Sequence, residues 1–460
     1  MMIRPTSVAI LATALLAGCA STSAESSFGD VRSTVEQRTG HRVRWNADTE
    51  SDRKADRAVR ELLRKPLEAE GAVQVALLRN PSLQAMYEEL SIAQADLVQA
   101  GVLSNPVFSI GLTVAERDAL DPNLLGGVTQ SFLDLLLIPA KRKIAKSEIE
   151  QAKYRVGNAI LSHAAEVKAA YFALLGAEQT LGMRRTVAEA EQAAFELSMG
   201  QRDAGNISDL TFTSERALAQ QMQLDVTRAE AELAVARERL TRLMGVWGAD
   251  TAWRTPGRLP EVPEREPPLE HLESRAIAAR LDLAAIRQEM QTLHYATNLA
   301  SSSRWTGVVD IGADVGRLKN GDIAVGPRLS IELPLFDQRR GTIARLAAQL
   351  RASEHLLASR AIEVRSEVRE ALSRLLYARQ VVARYHDEVI PTREQLVQLS
   401  QQQYDAMLLG VYQLVQAKQA EITSYREYIE AVRDYWTARS ELERTLGGYL
   451  PVTPPGPSRP

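Results

Sequence analysis

VRSEVREALSRLLYARQVVARYHDEVIPTREQL (Val364–Leu396) decides the fold. Val368, Leu375, Val382, Val389 and Leu396 recur every seven residues, with Val364, Ala371, Ala378 and Tyr385 in the companion row. An apolar repeat of this kind describes a helix that supercoils against neighbours through a narrow seam. The same pattern occurs earlier at Ile160, Val167, Leu174, Leu181, Ala188 and Phe195, with Ala164 and Tyr171 beside it. No proline interrupts Ala140–Asp203 or Gln338–Ile390. Two rods of roughly 100 Å are therefore expected, over Pro139–Asp203 and Asp337–Tyr404. Helices of globular proteins average nearer 11 residues, so these rods call for a special architecture.

Working outward, the chain reads as two copies of one unit. Asn80-Pro81-Ser82-Leu83 and Arg280-Leu281-Asp282-Leu283 occupy matching places 200 residues apart. Glu166-Val167-Lys168-Ala169-Ala170 matches Glu367-Val368-Arg369-Glu370-Ala371 at an offset of 201, and Arg242-Leu243-Met244-Gly245 matches Arg444-Thr445-Leu446-Gly447 at 202. Three markers at nearly constant offset indicate an internal duplication. The repeats span 68–255 and 269–448, joined by a proline-rich linker, 256–268. Each rod is expected to stop at a glycine turn and return. Ala204-Gly205-Asn206 would break the first, and Leu409-Gly410 the second. Residues 19–67 are polar and weakly periodic and read as an extended arm, while 449–460 form a proline-rich tail.

Between the two helical parts of each repeat the period changes to two. Val309, Ile311, Ala313 and Val315 alternate with Asp310, Gly312 and Asp314. After Lys319-Asn320-Gly321 the alternation resumes through Ile323, Val325, Leu329, Ile331 and Leu333. Asn-Gly between alternating runs is a strong hairpin signal, and it places one hairpin over 307–335. The first repeat carries a second hairpin over 106–135, with Phe108, Ile110, Leu112 and Val114 opposing Ser109, Gly111 and Thr113. Its return strand, around Gly127–Leu135, alternates poorly. Strands of this kind suit a membrane barrel, apolar outward and polar inward, or a soluble hairpin packed on a core. Four strands cannot close a barrel, and lipid tolerates no open strand edge. Membrane insertion would therefore require several chains to pool their strands. Trp305, just before the third strand, suits an interfacial aromatic belt.

The first residues set the compartment. Arg4, an apolar run from Val8 to Ala17, and Leu16-Ala17-Gly18-Cys19 describe a signal peptide over 1–18, too short for a membrane span. The closing tetrapeptide resembles a bacterial lipobox, with Cys19 as the acylated anchor. Ala20 and Ser21 follow it, not Asp, and by the sorting rule of the lipoproteins it resembles this implies the outer membrane. Cys19 is the chain's single cysteine, which excludes an intrachain disulfide and a CxxC metal site. A net charge of −3 without a basic cluster points away from nucleic acid. The six histidines, His41, His163, His271, His294, His355 and His386, form no ligand pair at helical spacing. Met199 and Met407 lie near the turns and admit a soft-metal reading, though methionine in helices is usually core filler. Phosphate loops and nucleophile elbows are absent. The pattern indicates no enzyme, cofactor or metal centre.

Helix, hairpin, long helix, turn and helix, duplicated behind a lipobox, resemble the TolC family of outer-membrane efflux factors, in particular its lipoprotein branch serving resistance-nodulation-division pumps. The resemblance rests on Leu333-Pro334-Leu335-Phe336-Asp337, Ala204-Gly205-Asn206-Ile207-Ser208 and Leu446-Gly447. It implies a mainly α fold of long antiparallel hairpins, with four strands per chain completing a trimeric twelve-stranded barrel. It also implies a passive exit duct for small toxic solutes, drugs or metal ions, working with a periplasmic adaptor and an inner-membrane pump. The adaptor would meet the turns at Gly205, Asn206, Asp209, Gly410, Val411 and Tyr412. Where the best-known member narrows its tunnel with aspartates, this chain has Gln413 and Gln416. Asp209, or Asp203 and Asp405 beside the turns, would supply acidic rings instead. Rival readings are a type I secretion duct and a structural coiled-coil envelope lipoprotein. A lipid-anchored periplasmic enzyme is a third, without a catalytic constellation to support it.

Overall fold

A computed structural model describes residues 25–46, 50–113, 123–317, 322–448 and 450. The signal peptide with Cys19, the turn Lys319-Asn320-Gly321, Val114 and most of the proline-rich tail lie outside the described residues.

The elements run in the order α1 (Glu25–Thr39), α2 (Glu50–Arg64), α3 (Ala69–Arg79), α4 (Pro81–Ala100), β1 (Val107–Thr113), β2 (Asn123–Ser131), α5 (Leu133–Asp203) and α6 (Asp209–Met244). The second half repeats the scheme with α7 (Leu272–Ala279), α8 (Leu281–Ser302), β3 (Val309–Arg317), β4 (Ile323–Ile331), α9 (Arg340–Arg384), α10 (Ile390–Asp405) and α11 (Val411–Thr445). The chain divides into two compact units, and both long helices contribute to each.

One unit holds the strands, α8 and parts of α4, α5 and α9. Its four strands form a single antiparallel sheet in the order β1-β2-β3-β4. A polar seam joins α5 to α8, where Thr292 Oγ1 and Gln288 Nε2 donate to Ser147 Oγ at 2.7 and 2.8 Å. Leu90, Ile149 and Leu283 fill the core beside it. The other unit buries Ile160, Val167 and Leu174 of α5, Val364, Val368 and Leu375 of α9, and Tyr435 and Leu442 of α11. Those of α5 and α9 are the heptad positions in the middle of each rod.

The duplication is visible in the caps. Asn80 Oδ1 accepts the Ser82 N–H at 2.8 Å, opening α4, while its Nδ2 donates to the Leu243 carbonyl at 2.8 Å. Gly245 closes α6 at φ +67°, where an added Cβ would fall 2.6 Å from Asn80 Cα. Gly447 does the same after α11 at φ +79°. Both matched tetrapeptides thus end in a left-handed glycine stop.

Three local readings are corrected. Helices α1 and α2 stand where an extended arm is expected. Their few apolar residues, Phe28, Val31 and Val35, then Val59 and Leu63, sit at helical spacing and are buried, although charged residues dilute the pattern. The return strand of the first hairpin begins at Asn123, and α5 begins at Leu133 with Pro139 inside it. The apolar run Phe132-Leu133 and Leu135–Ile138 imitates a strand in composition, but most of it is helical. The heptad seam also shifts after Val382. A π-turn, Tyr385–Val389, separates α9 from α10. It inserts one residue just before Pro391, whose missing N–H and ring disfavour a continuous α-helix. Ile390 is consequently buried in place of Val389, and Leu396 is 43% exposed.

Candidate functional site

The sheet has two chemically distinct faces. Register pairs Phe108 with Val128, Val128 with Ala313, Ile311 with Leu329, Val315 with Val325 and Val309 with Ile331. These residues, with Ile110, Leu112, Leu124 and Ile323, occupy one face because side chains alternate along a strand. Ser109, Thr129, Ser131, Asp310, Asp314, Arg328 and Ser330 occupy the other. The apolar face is open on every strand, and on the inner strand β3 it is the more exposed of the two. Phe108 is 71% exposed and Val325 72%. Along β3, Ile311, Ala313 and Val315 are exposed while Asp310, Gly312 and Asp314 are half-buried. A soluble hairpin would show the opposite. Water does not favour so large an apolar surface, so the natural neighbour of this face is hydrocarbon. In β2, Leu124 and Leu125 fall on opposite faces and Gly126-Gly127 come next, which accounts for its poor alternation. No described helix is long and apolar enough to cross a membrane.

The helical turns lie in the other unit. At the first, the Asn206 N–H donates to the Gln201 carbonyl and the Gly205 N–H to the Arg202 carbonyl, both at 2.8 Å, with Gly205 at φ +78°. This is the Schellman arrangement, and glycine meets its need for a left-handed residue. Ser208 then caps α6, accepting the Thr211 N–H at 3.1 Å. Asp209 stands in the first turn, where a helix N-terminus favours negative charge. Arg202 Nε donates to it at 3.1 Å, and the guanidinium lies 4.4 Å from the Phe212 ring centre.

The second turn departs from expectation. Leu408 N–H donates to the Gln403 carbonyl and Met407 N–H to the Tyr404 carbonyl, both at 2.9 Å, with Met407 at φ +57°. Met407 therefore occupies the left-handed stop position, and Gly410 instead precedes α11 at φ −75°, an extended geometry open to any residue. Glycine is the residue expected to stop a helix, and nothing in a methionine side chain announces a left-handed backbone. Met407 is 94% exposed, so its side chain contributes little packing. Met407→Gly is accordingly expected to stabilise this turn by about 1 kcal/mol, visible as slower hydrogen exchange at the Leu408 amide. Unchanged exchange would show that the strain is absorbed elsewhere. Tyr412, Gln413 and Gln416 are exposed at the start of α11.

An ionic cluster ties the long first helix to both chain ends of this unit. Lys168 Nζ lies 2.8 Å from Glu70 and 3.1 Å from Glu443, and His41 Nε2 lies 2.7 Å from Glu70. Desolvation works against charge on Glu70, but the His41 hydrogen bond and Lys168 overcome it and hold the carboxyl down at about 2. Burial pushes the Glu443 carboxyl up despite the pull of Lys168. Burial opposes the Lys168 charge as well, and its two carboxylates more than restore it. The duplication supplied a signal for this cluster. Arg369, the match of Lys168, lies 3.2 Å from Glu273 in the second repeat. Among the described residues no group of three or more His, Cys, Asp or Glu side chains is placed to hold a metal ion.

Residues 72–246, the first repeat, match the family described as "Outer membrane efflux protein". Over 389 residues the chain is 23% identical to the cobalt-zinc-cadmium resistance protein CzcC of Cupriavidus metallidurans, covering 83% of this chain and 90% of that protein. Among solved structures, a membrane protein from Pseudomonas aeruginosa superposes with a TM-score of 0.71 at 17% identity, covering 82% of this chain and 92% of that one. CusC superposes with a TM-score of 0.70 at 14% identity, covering 83% and 92%. The Campylobacter jejuni outer membrane channel CmeC gives 0.71 at 14% identity, covering 83% and 85%. The arrangement of the sheet and the paired long helices is therefore that of solved outer-membrane channels. The first repeat thus carries the match to the outer membrane efflux protein family, and the chain as a whole shares the fold of solved outer-membrane channels.

Proposed function

We propose that this protein is the outer-membrane channel of a tripartite efflux system, a passive duct through which small toxic solutes leave the periplasm. The observation that carries this reading is the sheet's apolar face, open on all four strands, while the polar residues behind it on the inner strand β3 are half-buried. β1 and β4 each have an unpaired edge within the chain. Three copies joined edge to edge supply twelve strands and leave no edge open to lipid. Acylation of Cys19 adds a second anchor. The turns at Gly205, Asn206, Asp209, Gly410, Val411 and Tyr412 dock a periplasmic adaptor that links the duct to an inner-membrane pump, the source of energy. Asp209, Gln413 and Gln416 line the narrow end of the tunnel.

The likeness to CzcC favours divalent metal cations over drugs as the exported solute. Deleting the gene is expected to raise sensitivity to cobalt, zinc and cadmium, restored by the intact gene. Unchanged sensitivity to these ions and to lipophilic drugs alike, with adaptor and pump present, overturns the efflux reading. For the constriction, Gln413→Lys is expected to shift single-channel preference toward anions, since fixed charges in a narrow pore set its potential. An unaltered preference would place Gln413 away from the pore.

A further inference from the structure

On the helix side of the sheet, an apolar collar gives way within two or three helical turns to a basic one. Phe132, Leu135, Leu136, Trp305, Leu335 and Phe336 are all exposed. Directly beyond them on α5 stand Lys141, Arg142, Lys143 and Lys146, and beyond them before and along α9 stand Arg339, Arg340 and Arg345. Both repeats thus carry the same succession of apolar residues and then cations. Nearby acids are largely engaged: Asp134 pairs with Lys141 at 2.9 Å, and Asp337 Oδ1 accepts the Arg339 N–H at 2.8 Å. On α5 the cations wall a shallow cavity of about 330 Å³, lined by Ile138, Pro139, Arg142, Lys143 and Lys146. The Lys143 ammonium lies 4.1 Å from the centre of the Tyr295 ring, which holds the side chain in place.

We propose that this basic collar binds the headgroups of anionic phospholipids in the membrane leaflet facing the helices. The inference rests on the membrane reading of the sheet and adds a lipid class to it. Acyl chains would cover the apolar collar, setting their phosphates at the level where the cations begin. A stack of hydrocarbon-facing residues, interfacial aromatics and then lysine and arginine is the order of layers in a bilayer leaflet. Long basic side chains also reach toward headgroups while their stems cover apolar surface.

The test uses full-length protein reconstituted into phosphatidylethanolamine vesicles containing either brominated phosphatidylglycerol or brominated phosphatidylethanolamine. Bromine quenches tryptophan on contact, and Trp305 is the tryptophan of the sheet unit, the other four belonging to the second unit. Trp305→Phe identifies its share of the signal. Stronger quenching by the anionic lipid is expected, each engaged cation favouring it roughly fivefold. The preference should fade with added salt, because charges near solvent are screened over about 10 Å at 0.1 M. R142Q/K143Q/K146Q should lower the ratio of the two lipids, R339Q/R340Q/R345Q added to it should bring the ratio close to one, and R142K alone should retain it. Equal quenching of the wild-type protein by both lipids overturns the proposal and leaves the membrane reading standing. Loss of the preference with inorganic phosphate but not with chloride at the same ionic strength also overturns it, by showing a site for free anions. Quenching by neither lipid overturns the membrane reading itself.

Discussion

Arginine at both Ile311 and Leu329 is expected to remove the protein from the outer membrane. These residues are register partners on adjacent strands, on the exposed apolar face of the sheet. A lysine or arginine facing lipid costs roughly 2–4 kcal/mol at the bilayer midplane, declining toward the interfaces. Two like charges directly opposite each other add repulsion. In a trimer every cost is incurred three times over. The expected result is loss of heat-resistant trimers from the outer-membrane fraction. The matching control is Ser330→Arg, on the polar face, which should assemble normally. Normal assembly of I311R/L329R would mean that this face does not meet lipid.

The second large effect is expected at Lys168. Lys168→Ala leaves Glu70 and Glu443 without their shared cation, and breaking a buried ion pair from one side is strongly destabilising. Because these side chains are partly exposed, the cost is discounted to about 2–3 kcal/mol near neutral pH. Its pH dependence has a definite sign. Glu443 already binds its proton more tightly in the folded chain than in the unfolded one. Without Lys168 this carboxyl shifts further up, so the variant loses stability as pH rises through the folded value. The deficit should therefore be larger at about pH 7.5 than at about pH 5.5. Glu70 acts in the opposite sense, since its folded value is depressed to about 2. It contributes stability above its ordinary range and loses that contribution only as pH falls below about 4.5. Urea unfolding in detergent, monitored by helical circular dichroism at these two pH values and again at about pH 3, measures both effects. A deficit that does not change with pH would remove Glu443 from the account. Arg369→Ala, at the exposed counterpart pair, should cost no more than about 0.5 kcal/mol.

Most of the helical scaffold is legible in the chain because heptad spacing and duplication are local or strictly periodic. Ile160, Val167 and Leu174, with Val368 and Leu375, are buried as their spacing requires. The first turn is equally legible, since Gly205 supplies the one residue type that costs nothing in a left-handed position. Elsewhere neighbours override the local signal. Val389 and Leu396 keep the heptad spacing on paper, but the π-turn at Tyr385–Val389 adds a residue and rotates α10 relative to α9. At the second turn Met407 takes the stop position expected of Gly410. Lys168 was visible as part of a repeated marker, whereas its contact with Glu443, 275 residues away, was not.

Legible in the chain alone were the repeat, the long helices up to the π-turn, and the strands β1, β3 and β4 with the chemical alternation of their faces. All derive from period, and period depends only on backbone geometry and on which residues are apolar. Only the tertiary structure decided which face of the sheet is open, where the seam changes register and which charges meet. The apolar strand residues would read identically in a soluble hairpin. They mark a membrane face here because none of the described chain covers them, and coverage is a property of the whole fold.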